Sequence, residues 1–230
     1  MTQIKTNLNT ITEQIKAAAL GCNRSPDQVT LISVSKRKAV PLIQQGIEAG
    51  ADHLGENYIQ EAVAKIHEIG QANCTWHFIG HLQSNKARFA VPAFDYIHTV
   101  DSVKLAREIN KQAAKNKKVQ KILIQVNISG EETKSGIQPA QAPSLLASLA
   151  DFENLSVEGL MTMPPFFPDP EQARPFFTAL AELRKDLAGL NIANAPLPHL
   201  SMGMSNDFKV AIEAGATMVR VGTAIFGARD

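Results

Sequence analysis

The sequence predicts a single (β/α)8 TIM-type barrel, residues 1–230, with one extra N-terminal helix. Three observations predict it. Eight short apolar runs rich in β-branched residues alternate with helical patterns, and no composition shift or linker breaks the series. Short or helical connections between such runs imply parallel strands. The length of 230 residues suits one closed barrel, a fold that uses roughly 250 residues as a single domain. An open doubly wound sheet would give a similar string, but alternation running to the end of the chain favours closure.

Ile4, Leu8, Ile11, Ile15 and Ala18 form one face of an amphipathic helix that ends near Gly21. Strands follow over residues 29–35, 52–54, 75–79 and 96–100, then 121–128, 157–163, 197–201 and 218–221. Pro41 suits the first turn of the helix after strand 1. A second helix carries Ile59, Ala62, Val63 and Ile66 on one face. Asp101 or Ser102 caps the helix that buries Val103, Ala106, Ile109 and Ala113. Later helices run through Leu145, Leu146 and Leu149, through Phe176 to Leu187, and from about Asn206 to Gly215.

Composition excludes several classes of function. Net charge is +1, with 44% hydrophobic and 20% charged residues, so neither nucleic acid nor a membrane surface is an expected partner. Lys115, Lys117 and Lys118 make the densest basic stretch and complement a helix C-terminus. Cys22 and Cys74 have no metal or redox spacing, which fits a reducing compartment. The N-terminal residues form no apolar leader, and no run approaches the roughly 20 residues needed to span a bilayer. A cytoplasmic protein is expected.

In parallel barrels the chemistry gathers at the C-terminal ends of the strands. There this sequence places Ser35-Lys36, Gly55-Glu56-Asn57, Ile79-Gly80-His81, Asn127-Ile128-Ser129, Ser201 to Ser205, and Val221-Gly222-Thr223. Alternation puts Lys36 on the same face as Ile32 and Val34, so its stem starts from an apolar layer. Lost hydration there would favour the neutral, nucleophilic amine. Position alone favours the plainer reading, a solvated lysine at a strand end beside Arg37 and Lys38.

Arg220 sits between Val219 and Val221 in a strand buried on both faces. A charge there requires a partner: either a structural carboxylate, or a ligand in the barrel mouth. The segment 201–205 and the pair Gly222-Thr223 both suit a phosphate, since the loops after strands 7 and 8 often hold one. Turn and capping chemistry would use the same residue types. His77 and His81 would suit zinc only on a helix, and here they run from strand into loop.

Taken together, Ser33-Val34-Ser35-Lys36, Gly55-Glu56-Asn57-Tyr58, Gly80-His81-Leu82-Gln83, Ser201-Met202-Gly203-Met204-Ser205 and Val219-Arg220-Val221-Gly222-Thr223 resemble the pyridoxal phosphate homeostasis protein family. Those proteins look like the alanine racemase barrel domain standing alone, and the match runs over essentially the whole chain. The resemblance implies pyridoxal 5′-phosphate (PLP) held as a Schiff base on Lys36. It implies phosphate contacts near Ser201, Met204, Ser205, Gly222 and Thr223, Arg220 against the pyridine nitrogen, and Asn57 and His77 lining the ring pocket. It further implies a role in the homeostasis of PLP (vitamin B6) and amino-acid pools, with apo PLP-dependent enzymes as candidate recipients.

An arginine at the pyridine nitrogen weakens the electron sink that PLP enzymes use. The racemases also use a second base, a tyrosine from another domain. Here Tyr58 and Tyr96 are the only tyrosines and the sequence ends at Asp230. The expectation is therefore a carrier or buffer, monomeric and not an enzyme, rather than an amino-acid racemase. A cofactor-free barrel enzyme forming a substrate Schiff base on Lys36 is the third alternative.

Overall fold

The computed structural model describes residues 2–71, 74–131 and 133–227. Met1 and the end of the chain at Asp230, both included in the predicted domain, lie outside the described residues. The first helix, α1 (Gln3–Gly21), starts where the Thr2 side chain accepts a hydrogen bond from the Lys5 N–H. It buries Ile4, Leu8, Ile11, Ile15 and Ala19, which is the predicted face with Ala19 replacing Ala18 as its deepest alanine.

The strands are β1 (Thr30–Val34), β2 (His53–Glu56), β3 (Thr75–Phe78), β4 (Tyr96–Val100), β5 (Gln120–Gln125), β6 (Leu155–Met161), β7 (His199–Ser201) and β8 (Met218–Val221). All neighbours pair in parallel in the order β1 to β8, and β8 pairs back onto β1 from Thr30↔Met218 to Ser33↔Val221. That last pairing closes the barrel and rules out the open sheet. The helices are α2 (Val40–Glu48), α3 (Ile59–Ile69), α4 (Ala87–Ala93), α5 (Val103–Lys115), α6 (Ala142–Ser148), α7 (Arg174–Ala188), α8 (Phe208–Glu213) and α9 (Thr223–Phe226). Helix α1 packs across α8 and α9 on the outside of the barrel.

Alternation along the strands sends side chains to two different environments. Outward residues such as Trp76, Phe78, Ile97, Ile122 and Ile124 join Phe177 and the helices in one extensive core. Inward residues make a much smaller apolar cluster of Ile32, Tyr96, Leu123, Met161 and Met218. The remaining inward positions include His53, His77, His98, Ser201 and Arg220, so the barrel axis is unusually polar.

Local chemistry moves several predicted boundaries. Strand 5 stops at Gln125, because Asn127 folds its side chain onto the next turn, accepting from the Gly130 N–H and donating to the Glu131 carbonyl. Leu197 has φ 50°, so β7 begins only at His199. Helix α8 spans Phe208–Glu213, shorter than predicted. Two helices missing from the sequence reading are present: α9, and α4, which buries Ala87, Ala90, Val91 and Ala93 although Pro92 lies inside it. Ser102, rather than Asp101, caps α5 by accepting from the Leu105 N–H. Cys22 and Cys74 are free thiols. Among the described residues no helix is long and apolar enough to cross a membrane.

Candidate functional site

A cleft of about 540 Å³, counted to its open mouth, lies at the C-terminal end of the strands. That is within the usual range for a small-ligand pocket. Its walls come from β1 (Val34) and the residues after it (Lys36), from Asn57 after β2, and from Ile79 after β3. Met163, Met204, Ser205, Arg220, Gly222 and Thr223 complete it. Seven of the nine residues named from the sequence meet here: Lys36, Asn57, Met204, Ser205, Arg220, Gly222 and Thr223.

Lys36 is half-buried, and both peptide groups beside it are tied down. On one side the Ser35 N–H donates to the Gly55 carbonyl at 3.0 Å, while the Ser35 carbonyl accepts from Lys65 Nζ at 2.8 Å. On the other, the Arg37 N–H donates to Glu61 Oε1 at 2.5 Å. Lys65 also pairs with Glu56 at 2.7 Å and Glu61 at 2.6 Å, and Ser35 Oγ donates to the same Glu56 oxygen at 2.7 Å. Burial pushes the Glu56 carboxyl above its ordinary range, opposed by the hydrogen bonds and charge of Lys65 and by Ser35. One buried ion cluster on β2 and α3 thus fixes the backbone that presents the lysine.

Asn57 reaches the cleft because Gly80 lets its backbone pass: a Cβ on Gly80 would lie 2.1 Å from the Asn57 carbonyl oxygen. Asn57 Oδ1 is buried without a partner, an acceptor left open at the pocket wall. Opposite, Gly203 adopts φ +89° and turns the chain under the cleft, and its carbonyl accepts from the Arg220 N–H at 3.0 Å. Asp207 Oδ1 closes the same turn by accepting from the Met204 N–H at 2.6 Å. The turn holding Met204 and Ser205 faces the first turn of α9, whose leading N–H groups have no intrahelical acceptor. Hydroxyls and free N–H groups from two adjacent loops form a suitable cradle for a phosphate.

Arg220 forms the floor. Its guanidinium donates to Ser201 Oγ at 2.5 Å and to the Thr162 carbonyl at 2.9 Å. Among the described residues no carboxylate forms an ion pair with it. The structural carboxylate partner considered from the sequence is therefore not found; the nearest compensation is the field of Asp207, and burial pulls the arginine down to about 10. It remains a cation at neutral pH, facing the cleft.

Two sequence-named residues fall elsewhere. His77 is fully buried and does not line the cleft; its ring stacks on Tyr96 at 4.8 Å, between His53 and His98. Ser201, also fully buried, is turned toward Arg220 and His98 rather than the phosphate cradle. Both sit one layer below the pocket, because inward residues of staggered strands occupy successive levels along a barrel axis. Conversely, Val34, Ile79 and Met163 line the cleft without having been named as binding residues, although Val34 and Ile79 share the inward parity of Lys36 and His77. Neither tyrosine lines it: Tyr96 lies in the inner core and Tyr58 is exposed beside Arg37.

The family model described as alanine racemase, N-terminal domain, matches residues 6–230, nearly the whole of this parallel barrel. Among curated relatives, the pyridoxal phosphate homeostasis protein of Escherichia coli K12 is 45% identical over 233 residues, covering 100% of this chain and 98% of its own. That of Aquifex aeolicus is 42% identical, with 96% of each chain covered. The chain belongs to the pyridoxal phosphate homeostasis protein family. The structure of PipY of Synechococcus elongatus with PLP bound superposes with a TM-score of 0.86 at 35% identity, covering 98% of this chain and 100% of PipY. The alanine racemase of Corynebacterium glutamicum, at 15% identity and a TM-score of 0.73, shares the fold alone; 62% of its length is covered, against 96% of this chain.

Proposed function

We propose that this chain binds PLP as a Schiff base on Lys36 and serves to hold and release the cofactor rather than to turn over amino acids. The observation that carries the reading is the convergence on one cleft of a lysine amine, a cation with no carboxylate ion-pair partner among the described residues, and two loops suited to phosphate. These donors match an aldehyde, a ring nitrogen and a phosphate ester in turn. The E. coli relative is named for PLP homeostasis and PipY has been solved with PLP, which supports the same ligand here.

PLP supplies an aldehyde that condenses with an amine and a ring that accepts electrons once its nitrogen is protonated. The residues of this chain divide the work of holding it. Lys36 provides the amine, presented by a backbone that the Lys65 cluster holds still. Met204, Ser205, Gly222 and Thr223, which line the cleft together, would hold the phosphate. Arg220 places a permanent donor and positive charge on the floor, which disfavours a proton on a ring nitrogen lying against it. Because neither tyrosine lines the cleft, the residues there offer no counterpart to a tyrosine base on the far face of the ring. Such a site would hold the cofactor while activating it weakly.

The test is to load purified protein with PLP, trap the linkage with borohydride and map the modified peptide. The phosphopyridoxyl group is expected on Lys36; a label spread evenly over other lysines would refute the assignment. Incubation with L-alanine in deuterated water then separates carrier from racemase. Sustained exchange of the α-proton at enzyme-like rates would overturn the carrier reading.

A further inference from the structure

Three histidines run through the barrel without a part in the cleft. His53 begins β2, His77 lies in β3 and His98 in β4, each two residues higher against its neighbour because of the strand register Gly55↔His77 and His77↔Tyr96. Their rings touch end to end: His53 Nδ1 lies 2.9 Å from His77 Nε2, and His77 Nδ1 lies 2.9 Å from His98 Nε2. His98 Nδ1 then reaches across the barrel to Ser201 Oγ on β7, at 2.9 Å, and Ser201 Oγ accepts from Arg220 on β8. Five side chains on five strands make one continuous line from the lower end of the barrel to the floor of the cleft.

The direction of this line follows from donor counting. Arginine only donates, so Ser201 Oγ must accept from it. Ser201 has one proton, and the acceptor in reach of its oxygen is His98 Nδ1. His98 and His77 are both fully buried, and Arg220, Lys121 and His199 face them as further positive or basic groups. Burial and these neighbours hold both rings well below the ordinary histidine range, hence neutral. A neutral imidazole that accepts at Nδ1 carries its proton on Nε2. His98 therefore donates from Nε2 to His77 Nδ1, and His77 donates from Nε2 to His53 Nδ1. One obligate donor sets the tautomer of each ring behind it.

We propose that Ser201, His98 and His77 are positioning residues for Arg220: a polarised chain of neutral acceptors that locks the guanidinium in orientation while leaving its charge uncompensated toward the ligand. This rests on the reading of Arg220 as the group facing the PLP ring, and it explains how a buried arginine is satisfied without a carboxylate. A carboxylate in the place of Ser201 would neutralise the floor; a serine backed by imidazoles satisfies the donor and leaves the charge.

The experiment is nitrogen NMR on histidine-labelled protein without PLP, followed by PLP titration. From about pH 6 to pH 8, His77 and His98 are expected as single neutral tautomers with the proton on Nε2. Ser201→Ala is expected to release that preference at His98 and to weaken PLP binding about tenfold; Ser201→Thr, which keeps the hydroxyl, is expected to restore both. A proton on Nδ1 of His77 or His98 in the unmodified protein would overturn the proposal, as would a folded Ser201→Ala protein with unchanged tautomers and affinity. The predicted tautomers in a protein that takes up no PLP would uphold the chain and sink the cofactor reading, so the two failures are distinguishable.

Discussion

Replacing Lys65 by methionine keeps most of the stem volume and removes the charge, and its effect can be worked from the contacts. All three ammonium protons are used, on Glu56 at 2.7 Å, Glu61 at 2.6 Å and the Ser35 carbonyl at 2.8 Å. The lysine side chain is 7% exposed and that of Glu56 0%, so solvent screens the pair little. Removing one partner of a buried pair costs about 3–5 kcal/mol, because the other charge stays buried and uncompensated. For a chain of this size that lowers Tm by roughly 6–20 °C.

The pH dependence has a definite sign. Glu56 already sits above its unfolded-state value, so the folded state favours its protonated form, and this contribution is present at low pH and lost as pH rises through the folded pKa. The variant loses the two lowering effects of Lys65, which extends that window upward. Thermal unfolding followed by circular dichroism should therefore show a deficit that is smallest on the acidic side and grows toward alkaline pH. Glu56→Gln in the Lys65→Met background should recover part of it. A loss below about 1 kcal/mol that is flat with pH would refute the account of the cluster as a buried, charge-dependent clamp.

Two further outcomes are expected. Gly203→Ala places a Cβ 2.6 Å from the Ala211 Cβ at φ +89°; a cost of about 2–4 kcal/mol is expected, together with weaker PLP binding, measured by thermal unfolding and spectroscopic titration. Arg174 looks stronger than the Lys65 cluster, meeting Glu171 through two nitrogens and Glu213 at 2.5 Å. Its partners are exposed, however, and Arg174→Ala should move Tm by no more than about 4 °C; a larger shift would show that exposed ion pairs matter here more than burial.

The features legible in the sequence are those set by neighbours along the chain. Eight apolar runs separated by helical patterns predict the barrel, since period 2 and period 3.6 are local signals. The inward parity of Lys36 with Ile32 and Val34 is equally local. So are the turn at 201–205 and the pair Gly222-Thr223, of which the structure brings Met204, Ser205, Gly222 and Thr223 to the same cleft. Boundaries fared less well where one residue redirected the backbone, as Asn127 does after β5 and Leu197 before β7. Helix α4 escaped because seven residues with an internal proline carry too little periodicity to read.

The sequence by itself determined which residues point inward and which loops end the strands. Only the tertiary structure decided the level each inward residue occupies along the axis. Strand tilt and stagger set that level, and neither is encoded in the spacing of any single strand. His77 and Ser201 are the clearest cases: the resemblance implied that both contact the cofactor, and they point inward yet lie beneath the cleft. His98 and Ser201 stand 103 residues apart and meet at 2.9 Å across the barrel. No local pattern could pair them, because the contact exists only once β8 has closed onto β1.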